Sequence, residues 1–134
     1  MDRLKKMLKA LSNKYQDSWQ LYDKYVDVKL PRRNRHQRVI FRRKEAFYYF
    51  ESVVMGRAKV NQFDGGKRTL SLMAWQRNAD HEIVNFAFDI RDRLVGVVRH
   101  PAEHLDSEEL ELYIAALTHE CDRFEFLISG RDRF

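Results

Sequence analysis

The clearest alternation of apolar and polar positions lies in the last quarter of the chain. Leu110, Tyr113, Ile114, Leu117, Cys121, Phe124 and Ile128 recur at the spacing of one helix face. Ahead of them stands Leu105-Asp106-Ser107-Glu108-Glu109-Leu110. Asp106 is placed to accept from the free backbone N–H groups of a first turn, and Glu109, three residues on, completes a capping box. Leu105 and Leu110 occupy the staple positions, and Gly130 is the expected left-handed stop. The pattern predicts a long helix ending at Gly130, whose apolar face a sheet must cover.

Residues 2–16 predict a first helix. Leu4, Met7, Leu8, Leu11 and Tyr15 share a narrow stripe, and Lys5, Lys6, Lys9 and Lys14 lie off it. From Ser18 the texture is that of strands. Trp19 and Leu21 have one parity and Tyr22, Val26, Val28 and Leu30 the other, so a bulge or turn is expected near Asp23-Lys24. A connection at 31–35 leads to a strand from His36 to Arg43, a turn at Lys44-Glu45 and a strand from Ala46 to Val54. Residues 55–66 read as a loop ending in Asp64-Gly65-Gly66, and residues 67–79 as a short helix. Val84, Phe86, Phe88 and Ile90 alternate in a strand from Ile83 to Ile90. A two-residue turn at Arg91-Asp92 and a strand from Leu94 to Arg99 follow. The expected fold is α+β: an antiparallel sheet in the order αβββαββα, with the first and last helices on one face, in a single domain over residues 1–134.

The strand at 46–54 is apolar on both sides. Phe47, Tyr49 and Val53 point one way, and Tyr48, Phe50 and Val54 the other. A strand covered once should alternate with polar residues. Either it is central and covered twice, or one face meets a partner. Together with Leu70–Trp75, it carries more apolar surface than one small core needs, which points to a homodimer with Tyr48, Phe50, Leu72 and Trp75 as candidate protein-binding residues.

Charge changes the picture. The 134 residues carry a net +5, unevenly spread. Residues 1–60 hold 16 Lys and Arg against 6 Asp and Glu, and residues 61–134 hold 9 against 14. The halves neutralise each other within a fold or across a dimer, or the positive half meets an anionic partner. The second reading makes Arg32, Arg33, Arg35 and Arg38 candidates for nucleic-acid contacts, on a basic hairpin at 32–44 beside Tyr48, Tyr49 and Phe50. The longest apolar runs are too short to span a bilayer and the N-terminus has no signal-peptide core, so a cytoplasmic location without membrane contact is expected.

Little in the chain assembles chemistry. Cys121 excludes an intramolecular disulfide by being alone. His119 and Cys121 are two apart on a helix and face different ways, so thiol and base do not meet. Pro101 lies between His100 and His104, and the histidines show no zinc-ligand spacing. Asp122 and Glu125 lie on neighbouring turns, as a solvated or ion-paired face would. No phosphate loop or nucleophile elbow occurs. The expectation is no catalytic centre, no metal and no cofactor.

The element order resembles that of type III secretion chaperones and their YbjN-type relatives. The residue pattern is nearest to YbjN-type sequences between 86 and 130. It comprises Phe86-Ala87-Phe88-Asp89-Ile90, the hairpin at Arg91-Asp92, Leu94-Val95, His100-Pro101 and the run Leu105–Leu110. Tyr113-Ile114, Cys121-Asp122-Arg123-Phe124-Glu125 and Leu127 continue it along the helix. The resemblance implies a non-enzymatic chaperone or regulatory adaptor, often dimeric. The basic charge departs from secretion chaperones, which are typically acidic.

Overall fold

A computed structural model describes residues 2–31, 35–80 and 83–132, the last three of these by backbone alone. Helix α1 (Asp2–Lys14) leads into strands β1 (Trp19–Leu21), β2 (Tyr25–Lys29), β3 (His36–Lys44) and β4 (Phe47–Met55). Helices α2 (Arg57–Gln62) and α3 (Gly66–Asp80), then strands β5 (Asn85–Phe88) and β6 (Leu94–Pro101), come next. A 3-10 turn at Ala102–His104 precedes helix α4 (Ser107–Asp132). The six strands form one antiparallel sheet in the order β1-β2-β3-β4-β6-β5. This is the expected α+β architecture, with two refinements. The parity change near Asp23 is a turn that splits the first strand region into a hairpin, with Trp19 opposite Val28. The stretch 55–66, expected as a loop, contains α2, which is too short to show a period and turns Val60 into the core.

The cap of α4 is built as the sequence dictates. The Glu109 N–H donates to Asp106 Oδ1 at 2.8 Å, and the Asp106 N–H donates to Glu109 Oε1 at 3.2 Å. Leu105, Leu110, Ile114, Leu117, Cys121, Phe124 and Ile128 are buried, and the helix crosses β3, β4 and β6. Gly130 does not stop it: the backbone stays helical to Asp132. Glycine permits a left-handed exit but does not impose one.

Helix α1 docks on the same face. Leu4, Leu8 and Leu11 are buried, and Arg3 donates to the carbonyl of Leu105 at 2.6 Å. The Tyr15 hydroxyl and Lys14 both reach the Glu111 carboxylate of α4. One buried polar bridge ties β3 to β4. Gln37 Nε2 donates to Ser52 Oγ at 2.7 Å and to the Val53 carbonyl at 2.8 Å, and Ser52 Oγ donates to the Arg38 carbonyl at 2.6 Å. Pairing of this kind removes the cost of burying polar atoms.

The free edge at β5 is closed by α3. Asn78 Oδ1 accepts from the Phe86 N–H at 2.6 Å, and Asn78 Nδ2 donates to the Phe86 carbonyl at 2.9 Å. A side-chain amide thus takes the place of a neighbouring strand, which blunts edge-to-edge pairing. The β5–β6 connection is a three-residue loop, Ile90–Asp92, rather than the two-residue turn expected. The Asp89 carboxylate accepts from the backbone N–H groups of Arg91 and Arg93, and Asp92 sits at φ 58. A type I turn closed by one left-handed residue is the standard three-residue solution, and Asp tolerates that conformation.

Candidate protein-interaction surfaces

Alternation along β4 sorts its residues onto two faces. Tyr48, Phe50, Ser52 and Val54 turn toward α4, and Phe47, Tyr49, Glu51 and Val53 turn away. Tyr48 is 3% exposed and Phe50 0%, with the Phe50 ring 6.3 Å from that of Tyr113 on α4. These two candidate binding residues are therefore core, because the long apolar face of α4 selects their side of the strand. Nor is β4 covered twice: its second face belongs to an open side of the sheet.

That open side is aromatic and cationic. The register places Arg42 of β3, Tyr49 of β4 and Arg99 of β6 in one row across three strands. Arg42 lies 5.2 Å from the centroid of the Tyr49 ring, Arg99 4.6 Å from that of Phe47, and Arg38 4.7 Å from that of Tyr25. Such a cation–π contact holds a guanidinium over an aromatic face. In the next row Ile40 and Val97 flank Glu51, and they and Val53 are partly buried. Among the described strand residues, two carboxylates share this side: Glu51, 3.1 Å from Arg42, and Asp27, 2.8 Å from His36. A groove of about 580 Å³ opens where β3 begins, with Tyr25, Arg38, Ile40, Val53, Arg93 and Glu125 in its wall.

The second surface is the outer side of α3. Leu70 and Ala74 are buried, but Leu72 is 61% exposed and Trp75 70%. Ile83 and Ile90, which flank β5, are exposed as well. Large apolar side chains exposed on one side of a helix mark a contact surface more often than chance does.

Of the four arginines assigned to nucleic acid, Arg32 and Arg33 lie outside the described residues. Arg35 is engaged elsewhere: its Nε is 2.5 Å from Asp122 Oδ1, and its other arm 3.3 Å from Glu125 Oε1. Of the two that are described, only Arg38 is placed on the open sheet. The Arg35 cluster also explains part of the charge asymmetry, because a basic loop closes onto the acidic end of α4, while Lys14 does the same at Glu111. Arg38, Arg42, Lys44 and Arg99 keep positive charge on the open sheet. Burial pushes the Glu125 carboxyl above its usual value, with Asp122 adding to the rise and Arg35 and Lys59 opposing it. A raised carboxyl contributes stability that is complete below its unfolded value and lost as pH rises through the folded one. Glu125→Gln is therefore expected to gain on the unsubstituted protein as pH rises above the ordinary carboxyl value of 4.5, by about 1 kcal/mol or less. Urea midpoints across that range measure it.

Cys121 is buried and its thiol is pushed up to about 12 by that burial. It donates to the Ser52 carbonyl at 3.7 Å, while His119 is exposed on another side of the helix. His100 Nε2 lies 3.0 Å from Glu109, beside the cap of α4. Among the described residues, no three His, Cys, Asp or Glu side chains are grouped to hold a metal ion. No helix among them is long and apolar enough to cross a membrane.

Solved structures with this arrangement exist. A chain of the ExsC–ExsE complex superposes with a TM-score of 0.64 at 15% identity, over 95% of this chain and 94% of that one. A chain of the heterodimeric ExoU–SpcU complex, from the type III secretion system of Pseudomonas aeruginosa, gives 0.59 at 17% identity, over 81% and 86%. A chain of the HopA1–SchA chaperone–effector complex gives 0.60 at 10% identity, over 91% and 92%. The fold is that of the type III secretion chaperones. No family model and no curated protein matches the sequence.

Within this chaperone-like fold, sequence reasoning missed the working side of β4. The signal was present, since Phe47 and Tyr49 share a parity and Arg99 shares one with Val95 and Val97. What it lacked was the knowledge that these residues from three strands lie side by side.

Proposed function

We propose that this chain is a non-enzymatic, chaperone-like protein-binding module that acts as a homodimer in the cytoplasm, with kinship to YbjN-type sequences. The observation that carries this reading is the exposure of Leu72 and Trp75 on a helix whose other side is packed into the core. A two-fold contact reuses one patch on both chains, so a single exposed helix supplies both halves of an interface. The chaperone-like fold supports the reading, and so does the closed β5 edge, which leaves side chains rather than strand backbone to make the contact at this end. Trp75 is the expected anchor, because buried tryptophans dominate interface energies.

Light scattering on the full chain at micromolar concentration is expected to give a dimer mass, and Trp75→Glu a monomer with an unchanged circular dichroism spectrum. A monomer mass for the unsubstituted protein over that range would refute the dimer.

A further inference from the structure

We propose that the open face of the sheet, across β3, β4 and β6, docks an acidic polypeptide segment in extended conformation. The proposal rests on the protein-binding reading and specifies its partner.

Charge complementarity is the first ground. Lys29, Arg38, Arg42, Lys44 and Arg99 project from this side of the strands, against Asp27 and Glu51. Asp27 and Glu51 already have partners in His36 and Arg42. Arg38 and Arg99 have no carboxylate within ion-pair distance among the described residues, and each is held on a ring face. A guanidinium held in this way keeps its donor edge free at little further entropic cost, the arrangement that receives a carboxylate through two hydrogen bonds.

Shape is the second ground. Strands about 4.8 Å apart put Arg42 and Arg99, on either side of β4, about 10 Å from each other. Tyr49 lies between them, and in the next row Ile40 and Val97 flank Glu51 and, with Val53 beyond it, form a partly buried floor. An extended peptide points alternate side chains to one side. It can therefore seat aliphatic groups on this floor while its carboxylates reach Arg38 and Arg99.

A single-stranded nucleic acid fits less well. Its bases need ring faces to stack on, and those of Tyr25, Tyr49 and Phe47 carry an arginine. Its unbroken row of phosphates would also pass the fixed carboxylates of Asp27 and Glu51.

The test is fluorescence anisotropy with the full-length protein and three labelled probes: a peptide of alternating Glu and Val, its Lys and Val counterpart, and an oligo-dT single strand. The acidic peptide is expected to bind best, and added salt to weaken it. The double variant Arg38→Glu, Arg99→Glu is expected to lose about tenfold or more in affinity, with an unchanged thermal midpoint. Arg38→Lys, Arg99→Lys keeps the charge without the planar fork and is expected to fall between. The proposal is overturned if the acidic peptide does not bind, if the charge-reversed variant binds it equally well, or if oligo-dT binds more tightly. If the sheet fails this test while Trp75→Glu still splits the dimer, the proposal falls and the self-associating module stands. If the unsubstituted chain is monomeric and the acidic peptide binds, the reverse holds.

Discussion

Phe124→Ala is expected to cost about 3–5 kcal/mol of folding stability, the range for emptying a large aromatic site in a core. Phe124 is fully buried, and its ring meets Phe86 of β5 edge-on at 4.9 Å. The Arg77 guanidinium of α3 lies 5.0 Å from the same ring and reaches Glu120 of α4 at 3.2 Å. One side chain therefore joins α4, the edge strand and α3, and removing it leaves a cavity at the meeting point of three elements. The seat of α3 is expected to loosen as well, so amide exchange should rise in α3 before it rises in β3 and β4. Leu112→Ala, on the exposed side of the same helix, is expected to stay within about 0.5 kcal/mol. Urea unfolding of both variants measures the difference; a loss at Phe124 no larger than that at Leu112 would refute this account of the core.

The second large effect concerns Gly96. A Cβ on this residue would stand 2.5 Å from Cys121 Sγ, 3.1 Å from Val84 Cγ1 and 3.3 Å from Phe86 Cε1. Helix α4 crosses β6 closely at this point, and only the absence of a side chain permits it. Gly96→Ala is expected to cost about 2–3 kcal/mol through overpacking. The first clash is with sulfur, so adding Cys121→Ala should recover part of the loss. Coupling of about 1 kcal/mol or more between the two changes, read from a double-mutant cycle, is the expected signature. Purely additive losses would mean that the helix moves away from β6 as a whole and that the sulfur is not what resists.

Both predictions depend on the register of α4 over the sheet, and so does the assignment of the open face. The apolar side of α4 covers Tyr48 and Phe50 and leaves Phe47 and Tyr49 half-buried on the opposite side. Anything that displaced α4 would expose core aromatics. The arginine rows are accordingly best probed by substitutions on the open side, which leave the helix contacts intact.

Local pattern determined a large part of this protein. The capping box at Asp106 and Glu109, the seven-residue stripe of α4, the turn near Asp23 and the alternation in β3 and β5 are all stated by residues within a turn or a strand length of one another. Short-range spacing specifies them because hydrogen bonding and side-chain direction in a helix or strand are themselves short-range. Tertiary structure alone decided which side of β4 is buried. A period of two defines two faces, and both were apolar here, so the choice fell to α4, some sixty residues further along the chain. It also decided that Arg35 is spent on Asp122 and Glu125, 87 residues from the first of them, and that Gly96 must have no side chain because Cys121 lies over it. The row of Arg42, Tyr49 and Arg99 likewise exists only once three strands pair, since no local rule brings together side chains from three separate segments.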